Sequence, residues 1–290
     1  MQQFESKKTQ HIISTELQCT TLALENCFDI GVNLTNTQFE NDYELQIKQA
    51  NAAGVSHLCI TGTSEQESIL AANMAQQYEQ VYATAGVHPH DAKDVSDNYL
   101  NVLKDLYQNN ASVRAIGECG LDFNRNYSPQ EIQIKVFNEQ LQLASELNAP
   151  LFLHQRDAHQ AFLNQLKAQR NQLKQIVVHC FTGSQAELED YLELDCYIGI
   201  TGWICDERRG QDVLKLVSQI PNDRLLIETD APFLIPRNLK PKPKSRKNLP
   251  CYLPHIAEQI AKQKQLDVAT VARQTFYNSL AFFNLTQGTI

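Results

Sequence analysis

Residues 128–157 read SPQEIQIKVFNEQLQLASELNAPLFLHQRD, and this stretch predicts one helix followed by one short strand. Ser128, Pro129 and Glu131 form a start signal close to a capping box, so we expect the helix to begin at Pro129. Leu151–His154 is a short apolar run that ends in a polar residue, which predicts a buried strand. The apolar residues at helical spacing between these signals are Ile132, Val136, Leu141, Leu143 and Leu147.

The same unit recurs along the chain, because short apolar runs alternate with longer stretches of helical character from Cys27 onward. A second helix is expected from Ser64, with Glu67 three residues later, through Gln80. Such alternation is typical of β/α units around a parallel sheet. The predicted strands are Phe28–Leu34, Val55–Thr61, Val81–Val87, Val113–Glu118, Leu151–His154, Ile176–Cys180, Cys196–Ile200 and Leu225–Glu228.

Eight such units in about 250 residues match the size of a closed TIM-type barrel. An open doubly wound sheet shares the alternation, but no GxGxxG or GxxxxGK[ST] phosphate-binding motif follows an early strand. We therefore predict an α/β protein with a single TIM (β/α)8 barrel domain over residues 27–290, preceded by an N-terminal extension, residues 1–26.

The composition of the 290-residue chain excludes several classes of protein. Its formal net charge of -8 argues against a protein that coats nucleic acid through its overall field, although a local basic surface is compatible with it. No apolar run reaches the roughly 18 residues that a membrane span needs, and the N-terminal segment lacks the apolar core of a signal peptide. We expect no membrane partner and a cytoplasmic location.

Metal-competent residues follow several predicted strands, at the ends where a TIM barrel carries its chemistry. One histidine in an apolar strand is usually a hydrogen-bonded core residue. Imidazoles and carboxylates from at least four strand ends would, however, be costly to bury unpaired, and a divalent cation satisfies them together. These residues are His88, His90, Glu118, His154, His179 and Asp230.

Four of these residues, Glu118, His154, His179 and Asp230, are the predicted metal ligands. Their mixture of nitrogen and oxygen donors suits zinc, manganese or magnesium and does not choose among them. A bound cation would lower the pKa of a coordinated water and polarise a phosphoryl or carbonyl oxygen. Asp230 could also take the proton from that water, so Asp230 and Glu118 are the predicted catalytic residues.

The residues next to these ligands have two interpretations each. His88 and His90 flank Pro89, so each either reaches a metal or substrate phosphate or caps a turn. Asp122 and Glu228 are predicted to orient ligands from behind, with Glu228 pointing away from the metal because strand residues alternate.

Cys119 and Cys180 each adjoin a predicted ligand, which raises the alternative of a thiolate at the site. Successive side chains of a strand point to opposite faces, so each thiol should lie on the face opposite the predicted ligand beside it. Neither thiol has a dedicated base partner. We therefore expect both thiols to point away from the site.

An ordered series of motifs makes the chain similar to a known family. GVHPH, AIGECGLDF, LFLHQRDA, VHCFTG, YIGITGW and LLIETDAPFL, spread between Cys27 and Leu285, resemble the successive motifs of the TatD family. The resemblance implies a TIM barrel of the metal-dependent hydrolase superfamily. It also implies magnesium-dependent hydrolysis of DNA, commonly as a 3′ to 5′ exonuclease on single strands.

Carried over motif by motif, the resemblance makes the same four residues metal ligands, with His88 or His90 joining them or binding the scissile phosphate. The first strand departs from the family pattern, because Gly31 and Asn33 stand where a His-x-His pair is usual. Asn33 could still offer a carbonyl oxygen and Asp29 could serve nearby, which leaves open whether one metal or two are bound.

A basic stretch after the last predicted strand, from Arg237 to Lys247, carries six basic residues and no acidic one. In a barrel this loop lies on the catalytic face, where its charges could contact backbone phosphates; the alternative is a solvated loop. The predicted substrate-binding residues are Lys242, Lys244, Arg246 and, after the seventh strand, Arg208. The aromatic residues considered for stacking on an unpaired base are Trp203, Phe233 and Phe123.

The sequence thus predicts a metal-dependent nuclease that cleaves phosphodiester bonds of single-stranded DNA or RNA, acts in DNA repair or turnover, uses Mg²⁺ in the cell, and is a monomer. Zn²⁺ and Mn²⁺ are alternative ions. One alternative function is hydrolysis of another phosphoester or a cyclic amide, since the same barrel and ligands support both. Another is a non-catalytic nucleic-acid-binding relative, against which the intact ligand set argues.

Overall fold

The computed structural model describes residues 26–285, so the predicted extension, residues 1–26, lies almost wholly outside the described residues. Eight strands alternate with helices over this part of the chain. The strands, numbered in chain order, are β1 Cys27–Val32, β2 Val55–Ile60, β3 Val81–Ala85, β4 Val113–Asp122, β5 Leu151–Arg156, β6 Ile176–Val178, β7 Tyr197–Ile200 and β8 Leu225–Ile227.

Helices follow the strands and form the outer layer. They are α1 Tyr43–Ala52, α2 Glu65–Ala75, α3 Tyr99–Asn109, α4 Gln130–Leu147, α5 His159–Gln169, α6 Gln185–Glu193, α7 Gln211–Leu216, α8 Leu253–Lys264 and α9 Val268–Phe282. No helix among the described residues has the length and apolarity to cross a bilayer.

The strands form one parallel sheet in which each pairs with the next, in the order β1 to β8. Backbone hydrogen bonds then join the two edges: the Asp230 amide donates to the Gly31 carbonyl at 2.9 Å, and the Asn33 amide donates to the Ala231 carbonyl at 2.8 Å. The predicted (β/α)8 barrel is confirmed, and its carboxyl-terminal strand ends meet around one mouth.

Two apolar layers position that mouth. The larger layer lies between the strands and the surrounding helices. A second, interior cluster fills the barrel toward the amino-terminal strand ends and is covered by α9, so the polar residues of the opposite ends are left around open space. This interior cluster includes Phe28, Ile30, Tyr82, Phe152, Leu226, Phe276, Leu280 and Phe283.

Several element ends differ from the sequence-based prediction. The predicted start of α4 at Pro129 is wrong, since the helix begins at Gln130 and Ser128 makes no cap. Ser128 is used elsewhere, because its hydroxyl donates to the His90 carbonyl at 2.8 Å and accepts from the Lys93 amide at 3.1 Å. The Ser64 cap is confirmed, as its hydroxyl accepts from the Glu67 amide at 3.2 Å.

Candidate metal centre

The Glu118 carboxylate lies among three imidazoles at the mouth of the barrel. Its Oε1 is 2.8 Å from Nε2 of His179, 3.1 Å from Nδ1 of His154 and 3.4 Å from Nε2 of His88. The four residues come from β4, from β5 and from the ends of β6 and β3, so residues distant in sequence meet at one point. Glu118 and His179 are buried.

The charges of this cluster stabilise one another. Burial alone would raise the pKa of Glu118, but the imidazoles of His179 and His88 and hydrogen bonds from His154 and His179 lower it well below its usual value. Burial likewise opposes the charged form of His179, yet Glu118 and Glu228 raise its pKa well above the usual range. The pKa of His154 is also raised, because the nearby carboxylates of Asp122 and Glu118 outweigh its burial.

Glu228 supports His179 from the side opposite Glu118. Its fully buried carboxylate lies 3.2 Å from Nδ1 of His179 and accepts the Cys180 amide at 2.6 Å. A carboxylate behind a histidine fixes which ring nitrogen is free to bind a metal. The Glu228 carboxylate occupies space that is open because two neighbouring residues are glycines. A Cβ on Gly31 would lie 2.4 Å from one oxygen of Glu228, and a Cβ on Gly199 would lie 2.6 Å from the other.

Asp122 occupies a similar supporting position on the other side of the cluster. One of its oxygens lies 2.8 Å from Nε2 of His90 and 3.7 Å from Nε2 of His154. Burial would raise the pKa of Asp122, but the imidazoles of His154 and His90 and a hydrogen bond from the Arg125 amide lower it below the usual value. Nε2 of His90 is therefore directed at Asp122 rather than at Glu118.

His88 is directed at Glu118 by its own backbone. The His90 amide donates to Nδ1 of His88 at 3.1 Å, so Nδ1 carries a lone pair and the proton of the neutral ring sits on Nε2. Burial lowers the pKa of His88 to about 3, which keeps the ring neutral. In this tautomer His88 is a hydrogen-bond donor toward Glu118 and has no lone pair on that side for a metal.

Two buried glutamines of α4 fix the ends of β3 and β4. Gln140 accepts the Val87 amide at 2.8 Å and donates to the Val87 carbonyl at 3.1 Å, directly before His88. Gln133 makes the same pair of contacts with the backbone of Asp122, at 2.9 and 3.1 Å. Sequence reasoning missed both, because a glutamine in an amphipathic helix resembles a solvent-facing residue.

Asp230 lines the same cavity as the cluster, and Asn33 contacts it: the Asn33 side-chain amide donates to Oδ1 of Asp230 at 2.9 Å. Burial raises the pKa of Asp230 to about 7, with His179 opposing and Glu118 adding to the shift.

Asp29 is placed differently from expectation. Both of its oxygens bind Thr229, through the amide and the hydroxyl, and Asp29 does not line the cavity.

The cavity above the cluster has a volume of about 740 Å³ and is open to solvent. Its basic residues are Arg125 and Arg156, which sequence reasoning missed, although Arg156 stands only two positions after His154. The basic residues predicted to bind substrate do not line it: Lys242, Lys244, Arg246 and Arg208. Any contact of these four residues with a substrate would therefore lie outside the cavity, and their role in binding stays a prediction.

The basic loop nevertheless starts at the mouth. Phe233 lines the cavity, and the Asn248 amide donates to the Pro232 carbonyl at 3.0 Å, which closes the base of the loop two residues from Asp230. Lys242 and Lys244 are exposed beyond this base. Lys247 is turned inward instead and pairs with Asp42 at 3.0 Å.

Two further expectations about the mouth are corrected. Phe123 packs against the core and does not line the cavity, whereas Trp203 and Phe233 do. Cys180 lines the cavity despite the expected alternation, because its φ of 47° ends the strand geometry directly after His179. Burial and the nearby carboxylates of Asp230 and Glu228 raise the pKa of Cys180 well above its usual value, so the thiol is neutral.

The cluster fits a divalent cation. Glu118 and His154 each offer a donor atom within 4.8 Å of the other, and the buried Nε2 of His154 has no hydrogen-bond partner among the described residues. Buried polar atoms are rarely left unpaired, so an orphaned imidazole nitrogen beside a carboxylate indicates a ligand position. Imidazole and carboxylate donors together suit zinc, manganese or magnesium.

Comparisons with known proteins agree with this geometry. The sequence profile described as TatD related DNase matches residues 28–284. Two proteins named 3′-5′ ssDNA/RNA exonuclease TatD, from Erwinia tasmaniensis and Pectobacterium atrosepticum, are 52% identical to the chain over 259 residues, which is 89% of this chain and 100% and 99% of theirs.

Solved structures show the same architecture. A TatD homologue from Escherichia coli superposes with a TM-score of 0.82 at 27% identity, over 90% of this chain and 98% of that one. A hydrolase of the same family from Entamoeba histolytica superposes with a TM-score of 0.81 at 26% identity, over 91% and 99% of the two chains.

Proposed function

This chain belongs to the TatD-related DNase family, and from that premise we propose that it is a metal-dependent exonuclease that removes nucleotides from the 3′ end of single-stranded DNA or RNA. The observation that carries the proposal is the Glu118 carboxylate with three imidazoles within 3.4 Å, at the mouth of a TIM barrel. A hydrolase with these donors can act on many esters. The names of the relatives and the basic residues of the mouth favour nucleic acid as the substrate.

We assign the cation to Glu118, His154, His179 and Asp230. When bound, a divalent cation supplies an activated water and neutralises charge on a phosphoryl oxygen. Asp230 lines the same cavity and is the carboxylate that we assign as proton acceptor. His88 presents Nε2–H to the centre and can donate a hydrogen bond to a phosphate oxygen, while Glu228 holds the His179 ring in place.

Mg²⁺ is the ion that we propose for the cell, on the strength of the family resemblance. The imidazole donors suit Mn²⁺ and Zn²⁺ as well, so hydrolysis has to be compared with each ion at equal free concentration. Asn33 binds Asp230 through its amide nitrogen, and position 31 has no side chain. These two positions therefore offer no imidazole for a second ion, and one tightly held metal is the arrangement that we propose.

The mouth favours the end of a strand over a duplex. A cavity of about 740 Å³ lies in the range of small-ligand sites, about 300–1,000 Å³, and is closed below by the interior apolar cluster. We assign Arg125 and Arg156 to phosphates next to the scissile bond, and Lys242, Lys244 and Arg246 to phosphates farther along the strand.

The test uses the full chain and a 5′-labelled single-stranded oligonucleotide with Mg²⁺ or with a chelator. We expect a ladder of products shortened from the 3′ end, lost with the chelator and in His154→Ala and Asp230→Ala. His255→Gln is the matched histidine control, since His255 lies in α8 and binds Asn238 outside the cavity. Equal degradation by the wild type and by both site variants would assign the activity to a contaminant.

The remaining assignments stay predictions: a single domain over residues 27–290, a monomer, a cytoplasmic location and a role in DNA repair or turnover. Sedimentation of the purified chain tests the oligomeric state. Sensitivity of a deletion strain to DNA-damaging agents, rescued by the wild type and not by Asp230→Ala, tests the cellular role.

A further inference from the structure

One wall of the cavity is aromatic. Phe233, which follows β8, lines the cavity with 48% of its surface exposed, and Trp203, which follows β7, lines the same cavity. The two loops touch closely, because a Cβ on Gly202 would lie 2.4 Å from the Leu234 carbonyl oxygen. The exposed ring of Phe233 offers apolar area that a ligand in the cavity can cover.

The backbone around Phe233 is held in an unusual conformation. Asp230 and Leu234 both have a φ of 54°, which is rare for residues with a side chain and rarer for a bulky one. The Phe233 amide closes this turn on the Asp230 carbonyl at 2.9 Å. Strain of this kind persists at functional sites, and here it keeps Phe233 at the mouth, three residues from a proposed metal ligand.

Trp203 is fixed in place before any ligand arrives. The Arg209 guanidinium lies 4.5 Å from the centroid of its ring, and Asp206 accepts two hydrogen bonds from that guanidinium at 3.1 Å. The Trp203 amide donates to the Thr201 hydroxyl at 3.2 Å. A ligand that stacks here therefore meets a preorganised surface and loses little side-chain entropy.

The basic residues of the mouth come from other loops. Arg125 follows β4 and Arg156 ends β5, and within the described part of the chain neither side chain has an acidic partner. Arg209, beside the aromatic wall, is instead neutralised by Asp206. The mouth thus has aromatic residues on the loops after β7 and β8, and two arginines without an ion pair among the described residues on the side of β4 and β5.

We propose that the aromatic wall binds the base of the 3′-terminal nucleotide, with the base stacked on Phe233 and bordered by Trp203, while the backbone leaves the cavity past Arg125 and Arg156. This inference rests on the proposed function and specifies how that site binds its substrate. Stacking requires a base without a partner strand and tolerates any base, so Phe233 is the residue that selects single-stranded ends.

The test couples a change in the enzyme to a change in the substrate. Four values of kcat/KM are measured, for wild type and Phe233→Ala, each on an oligonucleotide with a normal 3′-terminal nucleotide and on one whose terminal nucleotide is abasic. Stacking is worth about 1–3 kcal/mol per base, so each single change is expected to lower kcat/KM by roughly 5- to 150-fold. Combining both changes is expected to cost little more than either alone.

Controls separate the possible failures. Tyr277→Ala removes another exposed aromatic, on α9 at the far end of the barrel, and is expected to keep the full penalty for the abasic end. Phe233→Tyr is expected to restore the wild-type pattern, which excludes a folding defect. Fully additive losses in Phe233→Ala would overturn the inference, whereas no hydrolysis of the normal strand by the wild type would instead overturn the proposed function.

Discussion

The main-chain amide of His90 donates a hydrogen bond to Nδ1 of His88 over 3.1 Å, and this contact decides what His88 can do. A nitrogen that accepts an N–H bond cannot itself carry a proton. The proton of the neutral His88 ring therefore points at Glu118, and His88 differs in role from His154, whose Nε2 is without a hydrogen-bond partner among the described residues.

Replacing His88 is expected to impair catalysis and spare metal binding. In His88→Ala we expect kcat to fall by about 10²–10³, the effect of losing one preorganised donor, with Mn²⁺ affinity within about threefold of wild type. His154→Ala is expected to weaken Mn²⁺ binding by at least about tenfold. Calorimetric titration with Mn²⁺ distinguishes them, and equal loss of affinity in both variants would make His88 a ligand.

Metal affinity is expected to rise with pH through 7 and above it. Asp230 must lose its proton to act as a ligand, and burial has raised its pKa to about 7. His154 and His179 must also be neutral, although their pKa values are raised. Protons therefore compete with the cation at low pH. Titrations with Mn²⁺ at pH 6, 7 and 8 check this, and a pH-independent affinity would contradict it.

Asp29 is expected to make the folded protein less stable as the pH rises. Burial raises its pKa to about 8 from a usual value of 3.8. The pKa of Asp29 is higher in the folded than in the unfolded protein. Its contribution to the free energy of unfolding is therefore fully present below about pH 4 and is lost as the pH rises toward 8. Asp29→Asn mimics the protonated form and should remove up to about 1.36 kcal/mol per pH unit of this slope.

The measurement is the free energy of unfolding of wild type and Asp29→Asn in urea between pH 4 and 8. Taking the difference between the two proteins cancels the other groups that titrate in this range. A difference that does not change across the range would mean that Asp29 is ionised in the folded protein.

Binding of single strands is expected to weaken with salt, and the two sets of basic residues should contribute differently. For a single strand each phosphate contact adds about 0.7 to the slope of log affinity against log salt. Arg125→Gln with Arg156→Gln should flatten the slope by about 1.4 on oligonucleotides of any length. Lys242→Gln with Lys244→Gln should do so only on strands long enough to reach the basic loop.

Fluorescence anisotropy with a chelator present, on strands of about 4 and about 15 nucleotides, separates these contributions. A slope unchanged by the lysine pair on the longer strand would remove the basic loop from the interface. A slope unchanged by the arginine pair on both strands would remove the cavity arginines.

Local sequence signals predicted most of the fold. Each strand is a short apolar run, and each predicted ligand lies within two residues of the end of such a run, so both could be read without knowing the tertiary structure. Strand ends were less predictable, because pairing with a neighbour sets them: β4 continues to Asp122 because that residue pairs with Arg156 of β5. Ser128 was misassigned because its hydroxyl bonds to a distant loop instead of to its own helix.

The errors within the site have the same origin. Asp29 was expected to serve near Asn33 in place of the missing imidazoles, but the pairing of β1 with β2 shifts register between Asp29 and Val32. The basic loop was recognised from its charge density, which says nothing about where a loop lies. Arg125 and Arg156 are single charges in short connections, and only the folded chain brings them to one cavity.

The packing of Glu228 against two glycines restricts how this barrel can diverge. A Cβ at position 31 would lie 2.4 Å from one oxygen of Glu228, so a histidine there requires that carboxylate to take another position. A histidine-bearing first strand therefore needs a different placement of the carboxylate that supports His179. Among descendants of this lineage, a side chain gained at residue 31 should be accompanied by changes in the residues packed around Glu228.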